Sequence, residues 1–339
     1  MLTGALADST ADAYGRQWAA FEEFCADNGW PSLPTTAAAV ACYVGTLCER
    51  QLAQSTIDSY LSPVNGRHVA AGFPKPATGR LVQDLRAGYA RMVADRSNSF
   101  PFARAPLPAP VAWRIAELAS RTPDAAWRAR FTAVVLAFVL ARRTSEVLEL
   151  QLQDVETTAD GGIRCSVSRC KGGERRNTVT RLVFDLPASP CTSVPDLPLL
   201  LFSALVSSLR ASGAPPSRLL FSTVDLDRVP GPADLTAWLH VALDRLGEAV
   251  PAGVLYSSYS CRGGGATAMD VCGLAPPAIA RLLGHAGNDP KTANAHYIDA
   301  LAPVTLEAFW LVGRYSRVAP PFVARLSSSP GQPAASGAA

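Results

Sequence analysis

Four prolines within residues 97–110 divide this 339-residue chain into two parts. They are Pro101, Pro106, Pro108 and Pro110. Proline lacks the backbone N–H that a helix interior needs, so this stretch cannot continue a helix. Because a domain usually holds about 100–200 residues, a chain of this length suits two of them. The sequence therefore predicts two domains, residues 1–97 and 111–326, joined by an extended linker over residues 98–110.

The pattern of the first part is typical of a helical bundle. Apolar residues at helical spacing, bounded by Pro, Gly or capping hydroxyls, predict four helices. They run from Thr10 to Asn28, Thr36 to Arg50, Ser55 to Ala71 and Ala77 to Arg96. Thr10 is the expected N-cap of the first.

The second part predicts a mixed domain. Its helices are expected at Val111–Arg121, Ala125–Ala141, Asp196–Ala211, Pro232–Glu248, Gly263–Cys272, Pro276–Leu283 and Val304–Arg314, and the second of these, apolar nearly all round, should be buried. Two strands, Ile163–Cys170 and Asn177–Phe184, flank the hairpin signal Lys171-Gly172-Gly173-Glu174. The expected fold class is mainly α with a small antiparallel β-sheet, an α+β domain following the helical bundle. Residues 327–339, rich in Ser, Pro, Gly and Ala, are expected to form a disordered tail.

Composition excludes several classes of protein. With 48% apolar and 17% charged residues, the chain can bury sizeable cores. The longest apolar run, Phe131 to Ala141, is far shorter than the roughly 20 residues that span a bilayer, so no membrane helix is expected. The acidic first 25 residues do not resemble a secretory signal, which predicts an intracellular protein. Eight cysteines without a Cys-x-x-Cys pair argue against a zinc site and a disulfide framework, and predict reduced thiols.

The net charge of +3 is unevenly distributed. Residues 1–60 carry two basic and seven acidic side chains, whereas residues 61–97 carry six basic and two acidic ones. A second basic cluster covers residues 164–181. Two basic stripes can follow a polyanion such as duplex DNA, although solvated protein surfaces would give the same pattern. The candidate DNA-binding residues are Arg67, Lys75, Arg80, Arg86, Arg169, Arg175 and Arg176.

Two segments contain arginines in positions that favour anion binding. Arg142 and Arg143 end the buried helix, and Glu146 follows three positions later, so a guanidinium there needs Glu146 or a phosphate as partner. Tyr259-x-x-Arg262 stands just before three glycines that are expected to open a helix, whose first amides also favour an anion. An internal ion pair and a flexible turn are the alternative interpretations.

Two later segments are individually weak signals. Leu283-Gly284-His285 ends a predicted helix, and a lone histidine is usually structural. Tyr297 lies between His296 and Ile298, and most tyrosines are core or surface residues.

The order and spacing of these residues carry more information than any single one. Arg143, Lys171, Tyr259, Arg262, His285 and Tyr297 follow one another with 28 positions from Arg143 to Lys171 and 23 from Arg262 to His285. This pattern resembles the catalytic signature of the tyrosine recombinases, the phage integrase family with its Cre and lambda-integrase types. The stretch from Ser55 to Ser62 is similar to the family's helical, SAM-like core-binding domain.

The resemblance implies a site-specific DNA recombinase that integrates or excises a mobile element. Arg143 and Arg262 would hold the scissile phosphate, with Glu146 supporting them, and Tyr297 would attack it and become linked to the DNA 3′ end. No cofactor and no metal is implied, and the sequence has no Gly-x-x-x-x-Gly-Lys loop. The implied partners are double-stranded DNA and three further copies of the chain, a homo-tetramer on DNA that is a monomer or weak oligomer when free. The implied location is with DNA inside the cell, in the cytoplasm, nucleoid or nucleus.

Lysine usage supports one of these roles independently. The chain has three lysines against 28 arginines, and Lys171 stands in its most arginine-rich segment. Arginine keeps its proton whereas lysine can release one, so Lys171 is the expected general acid for the leaving 5′ oxygen.

The sequence departs from the family pattern at two places. Tyr259 replaces the family's first histidine, and the 12 positions from His285 to Tyr297 exceed the usual interval by about three, close to one helical turn. Tyr315 is therefore kept as an alternative nucleophile. A DNA-binding or architectural relative without catalysis and a type IB topoisomerase are the alternative functions.

The family also docks a C-terminal helix on a neighbouring protomer. Residues 304–312 offer Leu306, Phe309, Trp310 and Val312 for such a contact, or for packing on their own domain.

Overall fold

A computed structural model describes residues 8–96, 105–159, 161–167, 182–187, 194–222, 228–284, 297–299 and 305–315. The chain separates into two compact units, with the division between residues 101 and 102. Part of the predicted linker, residues 98–104, and the predicted tail, residues 327–339, lie outside the described residues. The exact domain limits therefore stay predictions.

The first unit contains the four predicted helices. They are α1 (Asp8–Asp27), α2 (Ala37–Glu49), α3 (Gln54–Ala70) and α4 (Arg80–Arg96). Thr36 caps α2 as expected, its hydroxyl accepting the Ala39 amide at 3.1 Å. The predicted N-cap of α1 is wrong, because Thr10 already lies inside the helix. The last predicted helix is divided at Gly79, whose extended backbone separates the 3₁₀ turn Pro76–Thr78 from α4.

The core of this unit is aromatic and contains one buried histidine. Phe21 and Tyr43 meet edge to face, with ring centroids 5.1 Å apart. His68 on α3 is 1% exposed, its Nε2 accepts the Thr35 amide at 2.9 Å, and its Nδ1 lies 2.7 Å from the Val64 carbonyl. Because the amide can only donate, Nδ1 carries the proton and the ring is neutral.

The second unit is built around one buried helix. Its elements are α5 (Ala109–Arg121), α6 (Ala125–Val139), α7 (Thr144–Leu148), β1 (Val155–Thr157), β2 (Ile163–Val167), β3 (Leu182–Leu186), α8 (Leu197–Ala211), α9 (Pro232–Leu246), α10 (Ser258–Val271), α11 (Pro276–Leu283) and α12 (Leu306–Val312). Helix α6 packs against α5, α8, α9 and α10, and its residues 129–139 are all buried. The prediction that this helix is buried on every side is confirmed.

The small sheet has the strand order β1-β2-β3 and is antiparallel throughout. The predicted pairing of the two longer strands is confirmed, with Ile163 opposite Leu186 and Val167 opposite Leu182. Residues 168–181, which include the predicted hairpin tip, lie outside the described residues. The three-residue β1 was missed, because so short a strand has no readable alternation of apolar and polar residues.

Helix α10 begins five residues before its predicted start, so its three glycines lie inside the helix. A Cβ at Gly265 would overlap the Phe138 carbonyl oxygen and come 3.1 Å from the Ala141 Cβ. A Cβ at Gly264 would overlap the Leu107 carbonyl oxygen and lie 2.6 Å from the Phe138 ring. The glycines therefore bring α10 against the α6 backbone, and the interpretation of a helix-opening turn is wrong.

Helix α12 packs on its own unit, against α5 and α10. Phe309 is buried, and Trp310 meets Trp113 of α5 with ring centroids 5.0 Å apart. After the helix, Arg314 binds the Asp196 carboxylate at 2.6 Å. Of the two interpretations of this apolar segment, packing within the same domain is the one that the structure supports.

Two general properties follow from the described residues. Of their helices, not one is both long and apolar enough to cross a bilayer. Six cysteines fall among them, and their thiols are reduced.

Gly265→Ala tests the contact between α6 and α10. Alanine favours a helix by up to about 1 kcal/mol over glycine, but its methyl group would collide with the Phe138 backbone, so we expect a net loss of about 1–3 kcal/mol in the free energy of unfolding. Gly263→Ala is the matched control, because its Cβ would find its nearest neighbours at 3.7 Å. Urea unfolding of both variants measures the difference, and equal stabilities would contradict the close approach.

Candidate active site

The chain turns sharply between α6 and α7. Ala141, fully buried, has a positive φ of 47°, which L-residues other than glycine rarely adopt. Its carbonyl accepts a hydrogen bond from Arg262 Nη1 at 3.1 Å. Arg142 and Arg143 follow directly, so the turn brings both arginines to the side where α10 contributes Arg262.

Glu146 on α7 binds both arginines of this turn. One carboxylate oxygen lies 2.9 Å from Arg142 Nε, and the other accepts Arg143 Nη1 at 2.8 Å. The Glu146 side chain is 4% exposed and that of Arg142 1%, whereas the Arg143 side chain is 30% exposed. The predicted ion pair with Glu146 is present, and Arg143 presents part of its guanidinium to solvent.

Arg262 connects three segments of the unit. Buried at 3% exposure in the second turn of α10, it donates to Ala141 and, through Nη2 at 2.8 Å, to the carbonyl of Leu283 at the end of α11. Burial lowers the pKa of its guanidinium, Tyr297 opposes this effect, and the positive charges of Arg143 and Arg142 add to it. A bound anion would relieve the repulsion among these cations.

Tyr297 lies against Arg262. The guanidinium carbon is 4.8 Å from the centre of the tyrosine ring. The Tyr297 backbone is held by Thr267 of α10, whose hydroxyl donates to the Tyr297 carbonyl at 3.1 Å and accepts the Asp299 amide at 3.0 Å. Helix α10 thus positions both the arginine and the tyrosine.

Several positive charges lie close together in this cluster. Arg142, Arg143 and Arg262 supply three positive charges, and Glu146 supplies one negative charge. An excess of buried positive charge is costly unless an anion binds there. A phosphate bound at the partly exposed Arg143 would compensate this charge.

The other predicted site residues fall in different places. Tyr259 is 55% exposed and lies one turn before Arg262 on α10. Lys171 and His285 lie outside the described residues. Tyr315 lies beside Arg314, Cys165 and Asp196, and burial raises the pKa of its hydroxyl. The structure therefore brings together Arg143, Glu146, Arg262 and Tyr297, and not Tyr315.

The candidate DNA-binding residues of the first unit differ in their exposure and in the side chains that they contact. Lys75 and Arg80 are exposed, and Arg80 makes only a loose contact of 3.5 Å with Asp84. Arg67 lies over the Trp18 ring at 5.6 Å, and Arg86 forms an ion pair with Asp58. The second cluster, Arg169, Arg175 and Arg176, lies outside the described residues.

Sequence reasoning missed two members of the site. Arg142 was recognised as a buried cation but given no role, and only its position beside Arg143 signalled it. Thr267 gave no signal, because a threonine inside a helix usually bonds to its own helix or to solvent. Its two bonds to residues 297 and 299 depend on tertiary structure.

No family model and no curated protein matches this sequence. Solved structures do match. The Tn1549 transposon integrase in complex with transposon right end DNA has a TM-score of 0.60 at 14% identity, covering 88% of this chain and 91% of that one. A lambda integrase tetramer bound to a Holliday junction has a TM-score of 0.56 at 15% identity, covering 87% and 72%. The XerH site-specific recombinase bound to difH substrate has a TM-score of 0.50 at 14% identity, covering 77% and 67%.

The chain has the tyrosine recombinase fold. The fold class expected from the sequence is confirmed, since a mainly helical chain with a small antiparallel sheet matches these structures over most of its length. Within this recombinase fold, residues far apart in sequence converge, as Arg143 on the α6–α7 turn and Arg262 on α10 show. The described residues contain no group of three or more His, Cys, Asp or Glu side chains that could hold a metal ion.

Glu146→Gln tests the electrostatics of this recombinase-fold site. Removing the carboxylate charge leaves Arg142 buried beside two other arginines, so we expect a loss of about 3 kcal/mol in the free energy of unfolding. Glu149→Gln is the matched control, an exposed glutamate one turn away in the sequence. Urea unfolding in the absence of DNA measures both variants, and an equal effect would show that Glu146 does not compensate the arginines.

Proposed function

We propose that the protein is a site-specific DNA recombinase that cleaves and rejoins duplex DNA through a covalent 3′-phosphotyrosine, in the integration or excision of a mobile element. The observation that carries the proposal is the contact between Tyr297 and Arg262, a buried arginine that lies near Arg143 and Arg142. The DNA complexes of the similar integrases support it. A hydroxyl held at a phosphate-sized cluster of guanidinium donors is what phosphoryl transfer to tyrosine requires.

In the proposed reaction, each of these residues has a separate chemical role. The Tyr297 hydroxyl gives its proton to solvent water and attacks the scissile phosphorus, and the bond from phosphorus to the 5′ oxygen breaks as the new bond forms. Negative charge grows on the nonbridging oxygens, where Arg143 and Arg262 stabilise it. The 5′ oxygen leaves as a hydroxyl after taking a proton from Lys171. Attack by a 5′ hydroxyl on the phosphotyrosine reverses these steps and rejoins the strand, without a cofactor.

The remaining roles rest on the sequence. Lys171 is proposed as the general acid because of its rarity and position among arginines. Tyr259 and His285 are proposed as further hydrogen-bond donors to the phosphate. Tyrosine can donate such a bond although it is a poor acid or base near neutral pH.

DNA is the proposed partner of both units. The exposed Lys75 and Arg80 of the first unit are proposed to contact phosphates. Recombination joins two duplexes by four strand cleavages, so we propose four protomers on DNA, as in the lambda integrase tetramer, and a monomer or weak oligomer in free solution. The proposed location is with DNA inside the cell.

Tyr297→Phe tests the nucleophile. Loss of one hydroxyl should abolish covalent protein–DNA adducts while leaving DNA affinity nearly unchanged, because the ring still packs on Arg262. The substrate is a pool of nicked duplexes of randomised sequence. A nick beside the cleavage site lets the short fragment with the free 5′ hydroxyl diffuse away, so the strand cannot be rejoined and the adduct is trapped. Denaturing gels detect the adduct, and sequencing of the captured DNA identifies the site.

Tyr315→Phe is the matched control and should still form adducts. If Tyr297→Phe still forms adducts and Tyr315→Phe does not, the nucleophile is Tyr315 and not Tyr297. DNA binding without adducts in the unaltered protein would favour the architectural relative. Relaxation of supercoiled circles by single protomers, without exchanged strands, would favour the topoisomerase.

Lys75→Gln combined with Arg80→Gln tests the basic surface of the first unit. Each lost phosphate contact reduces the slope of log affinity against log salt by about 0.9, so we expect a change of about 1.8 for the pair. The control is Arg16→Gln, an exposed arginine on α1 of the same unit. Titration of a random duplex at several salt concentrations measures the slopes, and an unchanged slope would remove these residues from the DNA contact.

A further inference from the structure

Arg142 is among the largest side chains that are fully buried in the described structure. It lies beside the proposed phosphate-binding arginines, and its 1% exposed side chain contacts Glu146 and the end of α11. Arginine is almost never buried unless its charge is paired. Its contacts therefore indicate a role exerted through its neighbours.

The first of these neighbours is Glu146. Arg142 Nε lies 2.9 Å from one carboxylate oxygen, and the opposite oxygen accepts Arg143 at 2.8 Å. A carboxylate held on both sides has one orientation. Arg142 thereby fixes the group that orients the partly exposed guanidinium of Arg143.

The second neighbour is the end of α11. Arg142 Nη1 donates to the Leu282 carbonyl at 2.8 Å, and Arg262 Nη2 donates to the Leu283 carbonyl at 2.8 Å. The last carbonyls of a helix lack intrahelical donors and carry partial negative charge, so cations satisfy them well. Two arginines from different segments thus cap one helix end.

The third contact is with Gly284, the residue directly before His285 in the sequence. A Cβ at Gly284 would overlap the Arg142 guanidinium, with Nη2 at 2.8 Å and Cζ at 3.0 Å. Gly284 also has a φ of 70°, so its glycine identity is needed twice. The guanidinium packs on the backbone of the turn that leads to His285.

We propose that Arg142 is a positioning residue for DNA cleavage, which holds Arg143 through Glu146 and holds the turn before His285 through Leu282 and Gly284. This inference rests on the proposed function. Arg143 and Arg262 would contact the phosphate, whereas Arg142 would contact only the protein.

Arg142→Lys and Arg142→Met test the proposal. Lysine keeps the charge but loses the planar fork that joins Glu146 to Leu282, and methionine keeps much of the volume without the charge. We expect both variants to form the covalent adduct about 10- to 100-fold more slowly in single turnover. DNA affinity should remain nearly unchanged, because Arg143 and Arg262, the proposed phosphate contacts, are retained. Rates are measured at a temperature where circular dichroism shows the variant fully folded, which separates positioning from stability.

Arg130→Lys is the matched control, the same exchange at a buried arginine of α6 about 13 Å before that helix ends. It should leave the adduct rate unchanged. A wild-type rate in folded Arg142→Lys and Arg142→Met overturns the proposal. If both variants unfold, Gly284→Ala displaces the guanidinium without removing it, and a wild-type rate in that folded variant overturns the proposal equally.

Stability measurements distinguish this failure from failure of the proposed function. Gly284→Ala should destabilise the wild type more than it destabilises Arg142→Met, where the clash is gone. If this difference in destabilisation is seen but the wild-type protein forms no adduct, the contact between Arg142 and Gly284 exists and the proposed cleavage function is wrong. If the wild type forms adducts and the Arg142 variants form them at the same rate, the proposed cleavage function is right and the positioning role of Arg142 is wrong.

Discussion

The close approach of α10 to α6 determines where Arg262 and the backbone of Tyr297 lie. Gly264 and Gly265 have no side chains, so the α10 backbone reaches Phe138 and the Leu107 segment. At that separation Arg262 can donate to Ala141, the residue that ends the α6 turn. A wider spacing, as ordinary side chains would impose, would take Arg262 out of reach of both this turn and the end of α11.

Electrostatics works against stability at the same place. Arg142 and Arg143 share the carboxylate of Glu146, and the positive charge of Arg262 lies near both. Ion pairs taken out of water seldom stabilise a fold, and unbalanced cations destabilise it. The apolar packing of α6 against four helices offsets that cost. Under the proposed function, this preformed arrangement would need little reorganisation when a phosphate binds.

How much was predictable differs between local and tertiary features. The sequence predicted α6 and α11 well, because an all-round apolar helix and a Pro-to-Gly segment are local signals. The resemblance to the tyrosine recombinases also grouped Arg143, Glu146, Arg262 and Tyr297 into one predicted site, and these residues lie close together in the structure. It placed the start of α10 wrongly, because glycines disfavour a helix locally while tertiary packing here requires them. The roles of buried side chains that bond across elements, such as Thr267, depend on contacts that no local pattern contains.

The hydroxyl of Thr267 has a consequence for the evolution of this chain. It holds the backbone on both sides of Ile298, so the place of Tyr297 is set by α10. The number of residues between His285 and Tyr297 therefore does not determine where Tyr297 lies. Lengthening such a connection from nine to 12 positions costs only about 0.3 kcal/mol in closure entropy. Insertions and deletions in this connection can accumulate without moving the tyrosine, whereas loss of the Thr267 hydroxyl would make its position depend on loop length again.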